Sequence, residues 1–148
     1  MINQPKRMFF LTVPLILAAN LSVADAGKKP LTVTANNIKT NKGQIIFNLF
    51  KPGDDLLHQP SMQRKAPLTS TRDLTVTFDD LAYGHYVVFA FHDENNNSTL
   101  DHNFIGMPKE PMGYSNNWNF GLTTGMPNFE KTEFYFSEKK NSISIKLK

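Results

Sequence analysis

The sequence predicts an all-β chain folded as a single β-sandwich of about seven strands with a long ordered cap loop. Three observations carry that expectation. Apolar and polar residues alternate with period two in three segments. No stretch of a dozen residues carries a helical apolar stripe. Clusters of Gly, Pro, Asn and Asp punctuate the intervals. Short, mostly half-buried strands separated by tight turns are the pattern of two facing sheets, of immunoglobulin-like or transthyretin-like type.

The first 26 residues stand apart from that pattern. Lys6 and Arg7 precede the apolar run Met8 to Ala19, and Ala24 and Ala26 fit the small-x-small rule of a signal-peptidase site. An apolar run of about a dozen residues is too short for the roughly 20 that cross a bilayer. The expected organisation is a signal peptide over residues 1–26 and one β-sandwich domain over residues 27–148, exported to the periplasm or beyond the cell and not membrane-spanning.

Within the domain, Leu31 to Ala35, Leu74 to Phe78 and Ile143 to Leu147 alternate as strands with one solvated face. Gln44 to Phe50 and Tyr86 to Phe91 are more continuously apolar, as expected of central strands, and Phe134 to Phe136 supplies a short further one. Asn41 to Gly43, Lys51 to Asp54 and Asp79 to Gly84 read as turns. From Asp93 to Asn128 no strand or helix pattern appears. A segment this long that carries Phe104, Ile105, Trp118 and Phe120 reads as an ordered cap over one end of the sandwich.

The cap opens on His92-Asp-Glu-Asn-Asn-Asn-Ser-Thr-Leu-Asp101. Asp93, Asn95, Asn97, Thr99 and Asp101 place oxygen side chains at alternate positions, as in the first half of a calcium loop, where every second side chain turns toward a hard cation. The match is partial: Ser98 stands where such loops want glycine, and Phe104 where they want a bidentate glutamate. Two carboxylates and neutral amides make at most a weak structural Ca2+ site, in the range of about 10⁻⁴ to 10⁻³ M. The competing reading is a turn in which Asp and Asn bond their own backbone. His92 and His102 with the two aspartates suggest zinc or copper, but no third nitrogen or sulfur ligand is evident.

Charge and composition exclude some classes. Removing Lys6, Arg7 and Asp25 turns the formal +3 into +2, and the lysines are scattered, so no basic stripe faces nucleic acid. The absence of cysteine excludes disulfides and thiol catalysis. Nucleophile elbow, zinc-binding helix and phosphate loop are all missing, so the chain is expected not to be an enzyme. The alternative is a hydrolase using Asp93 and Glu110, which needs the two carboxyls about 5 to 10 Å apart. Binding is favoured instead. Tyr114, Asn116, Asn117, Trp118 and Phe120 mix aromatics with amides, a combination suited to a carbohydrate or peptidoglycan, or to an unknown envelope protein.

Phe78 to Asp101, with its Leu-x-x-Gly-x-Tyr turn and His-Asp-Glu-Asn-x-Asn run, resembles a bacterial exported family, the domain of unknown function DUF2141. Gly106-Met-Pro-Lys-Glu110, Gly113-Tyr-Ser-Asn-Asn117 and Pro127-Asn-Phe129 are similar to its later motifs. Departures fall at Ser98, where glycine is usual, and at Pro111-Met112. The resemblance implies a single exported β-domain and names no activity or ligand.

Overall fold

The structure, a computed structural model, describes residues 27–70, 72–119, 121 and 124–148. The signal peptide expected over residues 1–26 and the candidate Phe120 lie outside the described residues.

The chain is all-β. In order come β1 (Lys29–Asn36), β2 (Gln44–Phe50), β3 (Met62–Pro67), β4 (Leu74–Leu81), β5 (Gly84–Asp93), β6 (Met112–Tyr114), β7 (Phe134–Phe136) and β8 (Ser142–Lys146). A one-turn helix at Phe129–Thr132, capped by the Asn128 side chain, and a 3-10 turn at Ser115–Asn117 are the helical elements among the described residues. None of these helices is long and apolar enough to cross a membrane.

Among the described residues, eight strands form two sheets. In the first, β1 lies between antiparallel β4 and parallel β8. In the second the order is β3-β2-β5-β6, and β7 pairs with the start of β5. Alternation along β1 turns Leu31, Val33 and Ala35 inward and the intervening threonines out. Opposite, β4 carries one extra residue between Phe78 and Leu81, with Asp80 at φ 60°. This bulge returns Leu81, rather than an aspartate, to the interior.

One buried cluster joins the sheets: Leu31, Val33 and Phe78 from the first meet Phe47, Leu49 and Val88 from the second. The more continuous apolar character of β2 and β5 has a simple cause, because both faces of these strands are covered. Ile46, Phe50, Val87, Phe89 and Phe91 point away from the shared core into a second cluster with Met112 and Tyr114. Leu56, Leu100, Trp118 and Phe129 pack over that cluster. The cap therefore lies across the outer face of the second sheet rather than over one end of the domain, since an apolar sheet face needs covering along its whole breadth.

The sheets also meet at two seams. Met112 and Lys148 exchange backbone hydrogen bonds of 3.1 and 3.0 Å, and Leu147, fully buried, donates its N–H to Asn36 of β1. On the opposite side, the Arg64 guanidinium of β3 lies 5.4 Å from the Phe78 ring and donates from Nε to the Thr77 carbonyl of β4.

Candidate functional site

β5 delivers Asp93, with no exposed surface, to the base of the polar loop. Its Oδ1 accepts from the Asn97 N–H at 3.0 Å, and its Oδ2 from the Ser98 N–H at 2.9 Å and the Gln44 amide at 2.8 Å. Burial alone raises this carboxyl. The bonds from Gln44 and from the backbone of Ser98, Asn97 and Asn96 outweigh it and hold the group below the ordinary aspartate value of 3.8. Glu110 does the same at the other side of the loop: Oε1 accepts from the Glu94 N–H and Oε2 from the Asp101 N–H. Between them the two buried carboxylates fasten both ends of residues 94–101.

The five predicted ligands are brought together in this clasp. Asn95 and Asn97 each donate a side-chain N–H to the Asp101 carboxylate, at 2.8 and 3.0 Å. Their side-chain oxygens accept instead from the backbone of Asn97 and Thr99, and Asn97 Oδ1 also receives the Thr99 hydroxyl. Asn96 and Ser98 take φ of 60° and 66°, so the serine sits in the left-handed conformation that makes glycine the easier residue there. Among the described residues no group of three or more His, Asp or Glu side chains could hold a metal ion. His92 is enclosed beneath the 41–43 turn, with Nε2 donating to the Lys42 carbonyl at 2.7 Å, while His102 is exposed at a separate rim. His92 Nδ1 is the one fully enclosed side-chain polar atom without a partner among the described residues, 3.8 Å from Glu94 Oε1.

Beside the clasp, the outer face of the second sheet forms a hollow of about 430 Å³. Phe50, Phe89, Phe91 and Tyr114 make its floor, with Phe89 stacked between the other two aromatics of its row at 5.6 and 4.6 Å. Asn48, Gln63, Ser98, Thr99, His58 and His102 supply the polar rim. No Asp, Glu, Lys or Arg lines it. Asn48, 8% exposed, accepts from Gln63 through Oδ1, and its Nδ2 has no hydrogen-bond partner among the described residues. Tyr114, 4% exposed, likewise has a hydroxyl with no partner there, and burial pushes that hydroxyl's pKa upward, so it stays protonated.

The aromatic–amide candidates scatter around this site. Tyr114 is in its floor, and half-buried Trp118 packs edge-on against the Tyr114 ring at 5.3 Å. Asn116 and Asn117 are exposed on the 3-10 turn, both with positive φ, and Asn116 bonds the Lys131 carbonyl. Ser115 is buried, its hydroxyl donating to the Thr132 carbonyl at 2.6 Å and accepting from the Val88 N–H. Sequence reasoning missed Asn48, Gln63 and Gln44. The one available signal was an asparagine inside the apolar strand Gln44–Phe50, a buried amide that demands a partner.

Fold and site together define an all-β domain of two sheets carrying a hollow without Asp, Glu, Lys or Arg beside a carboxylate-fastened loop. A family model described as an uncharacterised protein conserved in bacteria, DUF2141, matches residues 33–144, and the chain belongs to that family. No curated protein and no solved structure matches it.

Proposed function

We propose that residues 27–148 form an exported, non-catalytic binding domain, a β-sandwich of immunoglobulin-like or transthyretin-like type, that takes a neutral saccharide in the hollow of its second sheet. The carrying observation is the pair of polar groups without partners among the described residues, Asn48 Nδ2 and the Tyr114 hydroxyl, in a hollow lined by no Asp, Glu, Lys or Arg. Both groups open onto the hollow and are bonded by no other part of the described chain, so they are free to bond a ligand seated there. A sugar ring offers an apolar face for the phenylalanine floor and hydroxyls for amides, imidazoles and hydroxyls at the rim. An envelope glycan is the natural source, and the leader-like pattern of residues 1–26 supports export. A core shared by two sheets supports the sandwich. The non-catalytic reading rests on side-chain engagement: the Ser115 hydroxyl and the Asp93 and Glu110 carboxylates are all committed to backbone groups.

The test is a titration of residues 27–148 with neutral gluco- and N-acetylglucosamine oligosaccharides, followed by amide NMR and by product analysis. Shifts clustered at Asn48, Gln63 and Tyr114 without turnover are expected. Silence at those amides with every neutral sugar overturns the ligand, and released product overturns the non-catalytic reading.

Calcium is a second reading of the clasp, favoured by the convergence of Asp93, Asn95, Asn97, Thr99 and Asp101 in one hydrogen-bonded loop. A cation there requires Asn95 and Asn97 to turn their oxygens toward Asp101. Binding at about 1 mM, with calcium at ten times that, raises stability by about 1.4 kcal/mol, or roughly 5 °C in Tm. Equal melting in 10 mM calcium and in chelator removes the ion.

A further inference from the structure

At the outer tip of the cap, His102 and Pro108 form a bridge, and the chain between them turns tightly through Asn103-Phe-Ile-Gly106. Asn103 builds this turn: its side-chain oxygen accepts from the N–H of Ile105 and of Met107, and its backbone exchanges with Met107 and Gly106. The apex is thus fixed, and it holds Phe104 98% exposed and Ile105 67% exposed. Gly106 lines a second hollow of about 110 Å³, whose walls include Leu57, Met126, Leu100 and Pro127. Leu57 and Met126 are themselves more than half exposed. A rigid apolar knob and an apolar hole therefore adjoin on one surface.

We infer that this surface pairs two copies of the chain, the Phe104 ring of each seated in the hollow of the other. A knob beside its own hole is self-complementary under a two-fold axis, so the contact closes at a dimer rather than growing into a filament. The hole is of the same order as the roughly 150 Å³ cavity that accepts a benzene ring. Charge favours a second copy as the occupant. Neither the turn nor the hollow's lining contains Asp, Glu, Lys or Arg, so like faces meet without repulsion. Lys109 is the one lysine or arginine in residues 100–110, set against Asp101 and Glu110, too little basic charge to favour an anionic bilayer. The two hollows share Leu57, Leu100, His102 and Tyr114, whereas Asn48 and Gln63 line only the larger one, so pairing covers the Tyr114 end and leaves the Asn48 end of the saccharide site open.

The patch is small by the standard of stable interfaces, so a dissociation constant on the order of 100 µM is expected. Sedimentation of residues 27–148 from about 10 µM to 1 mM reads it. Phe104→Asp and Met126→Lys are each expected to be monomeric throughout with unchanged Tm, since both side chains are exposed. Mixing the two variants is expected to restore part of the association, because one intact knob then meets one intact hole while the introduced carboxylate faces the introduced ammonium in the other contact. A wild type that stays monomeric at 1 mM overturns the inference, as does a dimer indifferent to Phe104→Asp. Failure of the mixture to associate overturns the knob-in-hole pairing. A monomer that instead binds phosphatidylcholine or phosphatidylglycerol vesicles through Phe104 makes the tip a lipid anchor and overturns it too.

Discussion

At the scale of single residues, two side chains separate stability from binding. The Tyr114 ring is packed against Phe89 and Trp118, but its hydroxyl bonds nothing among the described residues. Tyr114→Phe keeps the ring, so thermal unfolding is expected to move by less than about 2 °C, while saccharide affinity falls about fivefold with the loss of one hydrogen bond. Calorimetric titration alongside a melting curve checks both; a large loss of Tm would mean that the hydroxyl has a structural partner. Asp93 is the opposite case. Its pKa is depressed in the fold, so its contribution is fully present above the ordinary value of 3.8 and is lost as pH falls below that through the lowered folded value. Asp93→Asn is expected to cost about 2 kcal/mol at pH 7 and to flatten the acid limb of stability below about pH 4, read by urea unfolding at a series of pH values. Asp93 was legible in the sequence because alternate oxygens mark such loops. Its real partners, Gln44 and the backbone N–H groups, were not, since Gln44 lies 49 residues away and meets Asp93 only through the β2–β5 register.

At the scale of elements, periodicity found the strands whose inner positions are apolar and missed those whose inner positions are not. β3 alternates as strictly as β1, but Arg64 holds one of its inner places and covers Phe78 with its guanidinium, so no apolar rhythm shows. β6 has three residues, too few for any period, and sits within what reads as a loop. The turn between β1 and β2 was legible from Asn41-Lys-Gly43, and the reason for its glycine is now physical. Gly43 has φ +71°, and a Cβ there would lie 2.0 Å from the Asp93 carbonyl oxygen. The turn must pass this close because Lys42 also accepts from His92. Gly43→Ala is therefore expected to cost about 2 kcal/mol or more, lowering Tm by roughly 8 °C, through both strain and displacement of the clasp. A variant that melts like wild type would show that the turn can lift off β5 freely.

For the whole molecule, the two seams between the sheets are built differently, and their consequences differ accordingly. The seam at β8 is backbone paired with backbone, and it carries Leu147, fully enclosed in the shared core. The seam at β3 is one partly exposed guanidinium over a ring and a carbonyl. Truncating an enclosed leucine loses its transfer energy and leaves a cavity, so Leu147→Ala is expected to cost about 3 kcal/mol. Arg64→Ala loses a cation–π contact in contact with water and is expected to cost about 1 kcal/mol. Because one cluster spans both sheets, neither loss can be confined to one sheet. Trp118, the single tryptophan, reports the outer face of the second sheet, whereas far-UV circular dichroism reports all strands. Urea unfolding of Leu147→Ala followed by the two signals is expected to give one coincident transition at a lower midpoint with an unchanged slope. Separate transitions would mean that the first sheet melts while the second persists, and the shared core would then not be what holds the hollow in shape.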